Sequence, residues 1–199
     1  MVLPAHLRGQ RTHNPHAYIL MIDTLRLEPA ARPYVDTGLF RDAMVSTAST
    51  VCVVAAMLDG ERRGRTVTSM FSLSVEPPTI LVSIGKGSPL ADHIARAGGF
   101  SLAVLAEGQR AVADVFAARD RVDRFATGQW SSWNSGHPRL ADAVTAMDCV
   151  LVGAIETGTH MLFAGGVVEV ETFADRTPLV WHQRDYRPLA GQSRLPVDA

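Results

Sequence analysis

Strand-like segments follow one another along most of this chain, mostly in hairpin-like succession and without a helix after each one. Residues 50–58 (TVCVVAAML) form an apolar, β-branched run that ends at Asp59-Gly60. Parallel strands need a long crossover connection, usually a helix, between them. About seven strands in hairpin-like succession therefore predict a mainly β protein, an antiparallel Greek-key barrel decorated by about three helices, rather than a doubly wound sheet. The remaining strand patterns cover residues 65–75, 79–85, 100–106, 147–157, 160–172 and 177–189.

Three helices are predicted beside these strands. The first begins near Leu39, where apolar residues recur at helical spacing. The second has its N-cap at Ser88 and ends at Gly98-Gly99. The third lies within residues 108–120 and places its apolar side chains on one face.

Composition and charge exclude several classes of protein. Lys+Arg is 19 and Asp+Glu is 20, which gives a formal charge of −1, and this balance argues against a nucleic-acid partner. The longest unbroken apolar run is residues 51–58, whereas a membrane-spanning helix needs about 20 residues, so no membrane partner is expected. Cys52 and Cys149 lie in apolar strings without metal-binding spacing, and we expect buried thiols in a cytoplasmic protein.

The pattern divides the chain into three parts. Residues 1–38 carry four of the 11 prolines and little apolar periodicity, which predicts an irregular N-terminal arm. A natural start at Met21 is an alternative explanation for this segment. Residues 39–189 contain all the predicted elements and are expected to form one domain, and residues 190–199 are expected to be a C-terminal tail.

Common catalytic motifs are absent from the sequence. The chain contains no GxSxG, HExxH, GxGxxG or GxxxxGK[ST] pattern. A serine hydrolase, a metal enzyme and a Rossmann dinucleotide site therefore have no support, and no metal ligands are predicted.

Two segments could bind a ligand. Residues 83–90 (SIGKGSPL) join a strand end to a helix start, and they bring together glycine main chain, the only lysine of the chain, Lys86, and the Ser88 hydroxyl. Such a turn can cradle a phosphate, although an ordinary turn with an exposed lysine explains it as well. The small residues of segment 65–75 leave room for a flat heteroaromatic ligand, and a solvated strand face is the alternative.

Taken in order, these segments resemble the flavin reductase family, the small split-barrel reductases of two-component monooxygenases. The resemblance covers about residues 39–189, and it depends on the ordered set because no single motif is specific. The motifs are GRTVTS (64–69), EPP (76–78), KGSP (86–89), GGF (98–100), QRAVADVFA (109–117), DRF (123–125), GHPRL (136–140), GTH (158–160) and FAG (163–165).

The resemblance implies an FMN-binding split barrel whose flavin lies in a groove at a homodimer interface. It implies an NAD(P)H:flavin oxidoreductase that reduces FMN or FAD with NADH or NADPH and supplies reduced flavin to a separate monooxygenase. His160 is the implied catalytic residue beside the nicotinamide, and residues 86–89 are the implied phosphate loop. The implied cofactor-binding residues are Arg65, Thr66, Val67, Thr68, Ser69, Ser83, Ile84, Lys86, Gly87, Ser88, Pro89, Phe100 and Tyr186.

The chain departs from the family pattern at several positions. Leu90 stands where the phosphate loop usually has threonine, so Lys86 is expected to carry more of the phosphate charge. Ala103 replaces a common asparagine, Thr159 replaces a common aspartate, and Arg65 occupies a position that is often apolar. These departures leave the choice between FMN and FAD open. They also keep an alternative function open, namely a non-catalytic flavin- or haem-binding protein for storage, sensing or partner binding.

Overall fold

The structure, a computed structural model, describes residues 24–27, 30–118 and 123–189. The predicted C-terminal tail and residues 1–23 of the predicted arm lie outside the described residues. The helices are α1 (Thr37–Val45), α2 (Pro89–Ala97) and α3 (Arg110–Ala117). The strands are β1 (Thr24–Arg26), β2 (Ser49–Thr50), β3 (Cys52–Leu58), β4 (Glu61–Val67), β5 (Met70–Val75), β6 (Pro78–Gly85), β7 (Gly99–Val104), β8 (Trp130–Ser132), β9 (Pro138–Leu140), β10 (Thr145–Glu156), β11 (His160–Thr172), β12 (Val180–His182) and β13 (Asp185–Arg187).

Eight strands of the described chain form one sheet in the order β4-β3-β7-β10-β11-β6-β5, with β1 beside the end of β10. Every pairing in this sheet is antiparallel except β1 with β10. Strands β4 and β5 are the two ends of the order and are not paired with each other, so the sheet does not close into a barrel. The predicted mainly β architecture is confirmed, and its barrel is open along one seam.

Two predicted strands are each two strands in the structure. Residues 65–75 do not run straight through: β4 pairs with β3, and β5 pairs with β6, so the chain turns a corner at Thr68 and Ser69. Residues 177–189 fold back as the hairpin β12–β13. The two loop residues of that hairpin, Gln183 and Arg184, have φ values of 52° and 62°, as a two-residue hairpin turn requires.

The predicted N-terminal arm is not irregular throughout. Strand β1 lies within it and pairs in parallel with β10, Thr24 opposite Ala154. Helix α1 also begins inside it, at Thr37, because the Asp36 carboxylate accepts hydrogen bonds from the N–H groups of Gly38 and Leu39.

Helix α2 has the capping predicted from its sequence. The Ser88 hydroxyl accepts a hydrogen bond from the Leu90 N–H at its start, and Pro89 needs no such partner because it has no N–H. Gly98 ends the helix with φ 69°, in the left-handed region that favours glycine. The capping places the loop between β6 and α2 at one end of the sheet.

The core has two parts, supplied by opposite faces of the same strands. Cys52, Val54 and Leu102 belong to the first part, which α2 covers, whereas Val53 and Leu105 belong to the second part, which α3 covers. Strands with both faces buried read as continuous apolar runs, which explains the sequence pattern of β3 and β7.

Both cysteines are buried and free, as predicted. Burial raises the pKa of the Cys52 thiol and of the Cys149 thiol to about 12. Among the described residues, no helix is long and apolar enough to span a membrane.

Gly165 in β11 allows Phe100 to pack directly on the sheet. A Cβ at Gly165 would lie 2.6 Å from Phe100 Cζ and 2.9 Å from Cys149 Cβ. We expect Gly165→Ala to lower the free energy of unfolding by about 1–3 kcal/mol, because it overpacks the core. Gly153→Ala on β10 is the control, since its Cβ would meet Ala164 only at 3.8 Å. Urea denaturation of both variants tests this, and equal stabilities would contradict it.

Candidate functional site

A pocket of about 250 Å³ lies where the corner between β4 and β5 meets β6 and the start of β11. Three separate parts of the chain therefore come together here. They are residues 65–69, which the sequence analysis proposed as cofactor-binding, Ser83 and Ile84 of β6, and His160, the implied catalytic residue. Gly85 also lines the pocket and was missed, although it belongs to the same Gly-Lys-Gly turn. The lining residues are Arg65, Thr66, Val67, Thr68, Ser69, Ser83, Ile84, Gly85 and His160.

Two reciprocal hydrogen bonds hold the corner against β6. The Ser69 hydroxyl donates to the Ser83 carbonyl oxygen at 3.0 Å, and the Ser83 N–H donates to the Ser69 carbonyl oxygen at 3.1 Å. The Thr66 hydroxyl donates to the Ala113 carbonyl oxygen of α3 at 2.7 Å, so it anchors that helix. The corner is therefore fixed on both sides.

Several lining residues offer main chain rather than side chain to the pocket. The Ile84 side chain belongs to the first core cluster, and the Val67 side chain packs against the same cluster. The hydroxyl groups of Ser69 and Thr66 are already engaged. Backbone N–H and C=O groups, which every residue type can supply, therefore contribute to polar recognition at this wall, beside the side chains of Arg65, Thr68 and Ser83.

A tight turn fixes His160 at the edge of the pocket, opposite Gly85. The His160 N–H donates to the Thr157 hydroxyl at 3.0 Å, and the Thr157 N–H donates to the His160 carbonyl oxygen at 2.9 Å. The Thr159 hydroxyl lies 2.8 Å from His160 Nδ1, so it orients the exposed imidazole. Thr159 is a further functional candidate, and the sequence signals it only as a departure from the family pattern.

The predicted phosphate loop, residues 86–89, follows directly from Gly85. Its fold uses the Lys86 N–H, which donates to the Thr159 carbonyl oxygen, and the Ser88 N–H, which donates to the Gly85 carbonyl oxygen. In the described chain the Gly87 N–H has no such acceptor, and the Ser88 hydroxyl accepts from Leu90 while its own proton stays available. The loop therefore retains donors for an anion.

Lys86 is not a free cation. Its ammonium group lies 2.6 Å from the Glu156 carboxylate at the end of β10. Glu156 is 70 positions away in sequence, and no local pattern marks it. The chain's only lysine thus reaches the loop as half of an ion pair.

Phe100 lies outside the lining of the pocket, and its role in cofactor binding stays a prediction. Its side chain is fully buried in the first core cluster, above Gly165. Both faces of β7 are apolar, and the alternation of side chains along it therefore does not reveal which residue faces a ligand.

Tyr186 also lies outside the lining of the pocket. Its ring packs edge-to-face on Trp181, with centroids 4.9 Å apart, and the Arg110 guanidinium lies over it. Burial and the neighbouring Asp114 carboxylate raise the pKa of the Tyr186 phenol to about 12, against the opposing effect of Arg110. A role of Tyr186 in ligand binding remains a prediction.

Residues 44–190 match the family described as "Flavin reductase like domain". The chain belongs to this family. The resemblance inferred from the ordered motifs is therefore confirmed, and the matched region contains the whole pocket and the loop that follows it.

Two curated relatives and one solved structure illustrate the similarity. An NADH:riboflavin 5'-phosphate oxidoreductase of Streptomyces pristinaespiralis is 38% identical over 78% of this chain and 90% of its own. The reductase component of 4-hydroxyphenylacetate 3-monooxygenase of Thermus thermophilus is 36% identical over 77% of this chain and 97% of its own. The NADH:FAD oxidoreductase SgcE6 of Streptomyces globisporus C-1027, solved with NAD and FAD fragments, has a TM-score of 0.75 and 28% identity, and it covers 81% of this chain and 99% of its own. This structural match confirms the predicted split-barrel fold.

The pocket residues fit a flavin nucleotide. A Cβ at Gly85 would lie 3.9 Å from His160 Nε2, and a Cβ at Gly87 would meet nothing within 4 Å, so both glycines leave space along the path from the pocket to the loop. Backbone groups at the corner can pair with the polar edge of a heteroaromatic ring, and the loop can donate to a phosphate.

Proposed function

We propose that this protein is an NADH-dependent flavin reductase whose flavin ring lies in the corner pocket and whose flavin phosphate lies on residues 86–89. The observation that carries this proposal is the convergence of segment 65–69, Ser83, Ile84 and His160 on one pocket that leads into the loop. The names of the two relatives, which specify NADH or a reductase component, support it.

The flavin supplies the redox chemistry, since it accepts a hydride from the reduced nicotinamide. The protein holds and aligns two rings, so it needs neither a nucleophile nor a proton donor of its own. The rigid corner holds the flavin edge, and the Thr159-oriented imidazole of His160 borders the space for the nicotinamide. The proposal covers both FMN and FAD as the flavin, and the assay below compares NADH with NADPH as the nicotinamide.

A homodimer completes the site in this proposal. The outer face of β5, β10 and β11 exposes Phe71, Leu73, Val150, Val152 and Val168, each about half or more exposed. Large exposed apolar patches are a mark of interaction surfaces. Ser83, which lines the pocket, pairs with Leu162 of β11. The pocket therefore lies next to β11, one of the strands that carry this exposed apolar face. A second copy on this face would wall the groove.

The product, reduced flavin, is proposed to serve a separate flavin-dependent monooxygenase. The Thermus thermophilus relative is named as the reductase component of 4-hydroxyphenylacetate 3-monooxygenase, which supports this proposal. Two buried, unbridged thiols suit the reducing cytoplasm in which NADH is available.

A steady-state assay tests the proposed activity. Purified protein with NADH or NADPH and with FMN or FAD is expected to oxidise the nicotinamide only when flavin is present, as followed by the loss of nicotinamide absorbance. A protein that binds flavin tightly but oxidises neither nicotinamide would support the non-catalytic alternative. A protein that binds no flavin would refute both.

Replacement of the histidine separates its two possible roles. We expect His160→Ala to raise the KM for NADH more than the KM for flavin, because the imidazole borders the nicotinamide side of the pocket. Thr159→Val, which removes the hydroxyl next to Nδ1, should change the same constant in the same direction but less. Equal changes in both KM values for His160→Ala would count against the assignment.

Lys86 has ammonium protons left for a phosphate after it pairs with Glu156. We expect Lys86→Ala to weaken flavin binding by about 1–2 kcal/mol through loss of a charge-assisted contact, as measured by quenching of flavin fluorescence. The double variant Lys86→Ala/Glu156→Ala should bind as weakly as Lys86→Ala. If the double variant instead regains wild-type affinity, Lys86 acts only by neutralising Glu156.

A further inference from the structure

Strand β4 carries three arginines close together, and their surroundings differ. The Arg62 guanidinium lies 4.5 Å from the centroid of the Phe125 ring. Arg63 forms an ion pair with Glu61 at 2.7 Å. Within the described part of the chain, the Arg65 side chain forms neither an ion pair nor a hydrogen bond, yet it lines the pocket.

The pairing of β4 with β3 determines where Arg65 lies. Arg65 is opposite Val54, and Val54 belongs to the first core cluster. Residues paired across antiparallel strands project from the same face of the sheet. Arg65 therefore projects from the inner face, next to apolar side chains, and it is only partly exposed. A partly exposed guanidinium without an ion-pair partner keeps its charge and its N–H donors available to an anionic ligand.

Among the described residues that line the pocket or form the adjoining loop, Arg65 is the cation without an ion-pair partner. Lys86, on the adjoining loop, is paired with Glu156. The remaining residues that line the pocket carry hydroxyl, apolar or imidazole side chains, or none. Among the described residues that line the pocket, Arg65 is therefore the one with a permanently charged side chain.

We propose that Arg65 is the charge partner of the reduced flavin ring, an inference that depends on the proposed function. In the reaction, reduced nicotinamide transfers a hydride, two electrons and one proton, to neutral oxidised flavin. The products are oxidised nicotinamide and a reduced flavin that carries one negative charge on its pyrimidine edge. A fixed guanidinium beside that edge stabilises the product and the transition state that leads to it, but not the neutral oxidised ring.

The competing role is a contact with the flavin phosphate. The phosphate carries the same charge before and after the reaction, so such a contact would strengthen the binding of both redox states equally. The two roles are therefore distinguished by the ratio of affinities for reduced and oxidised flavin, whereas the overall affinity does not distinguish them.

The test compares Arg65→Gln and Arg65→Lys with the wild-type protein. The dissociation constant of oxidised FMN is measured by fluorescence quenching, and that of chemically reduced FMN by anaerobic ultrafiltration, both at mildly alkaline pH. We expect Arg65→Gln to weaken binding of reduced FMN about tenfold while binding of oxidised FMN changes less than about twofold. A tenfold loss lowers the two-electron midpoint potential of bound flavin by about 30 mV. Arg65→Lys, which keeps the charge, should retain most of the preference.

Arg62→Gln is the matched control, because Arg62 is on the same strand but projects from the opposite face. Its ratio of affinities should equal that of the wild type. Equal weakening of the binding of both redox states in Arg65→Gln would assign Arg65 to the phosphate and overturn the proposal. Unchanged affinity for both redox states would overturn it as well. A wild-type protein that binds neither form of FMN would instead refute the proposed function.

Discussion

The reciprocal hydrogen bonds between Ser69 and Ser83 hold together the part of the fold on which the site depends. They join the corner after β4, at one end of the sheet, to β6, near the other end. The ladder itself does not connect β4 with β5. Because the strands leave this seam open, its two sides are held by two short polar contacts, by the buried Ile84 side chain and by the partly buried Val67 side chain that packs against the same cluster. The pocket is the space that the seam leaves.

A site built largely from main chain has consequences for its chemistry. Val67 and Ile84 place their side chains in the core and their peptide groups at the pocket, so core packing positions the recognition groups directly. Such groups lose little freedom on binding, because the sheet has already ordered them. Alignment of two rings for hydride transfer benefits from this rigidity. It also explains why the site carries few of the side chains that usually signal an enzyme.

The sequence predicted the fold class, the capping of α2 and the segments that meet at the pocket, because these depend on local patterns and on an ordered set of motifs. It did not predict the corner at Thr68 and Ser69, since the alternation of small and apolar residues continues through it while the pairing partner changes from β3 to β6. The β12–β13 hairpin was also missed, because Gln183-Arg184 lacks the glycine or asparagine that usually marks such a turn. The Lys86–Glu156 ion pair joins distant segments and has no local signal.

The distribution of charge along the site separates binding from reaction. At the loop, the Lys86–Glu156 pair has no net charge. The donors left for a phosphate are the Gly87 N–H, the Ser88 hydroxyl and the ammonium protons of Lys86 that Glu156 does not use, and they hold a phosphate alike in both redox states. At the corner, Arg65 brings one uncompensated positive charge. If Arg65 faces the ring as proposed, its interaction energy with the flavin becomes more favourable when the ring becomes negative. The interaction energy between the loop and the phosphate is the same in both redox states. A neutral loop and a charged corner would thus favour the reaction product over the oxidised flavin without weakening the initial binding step.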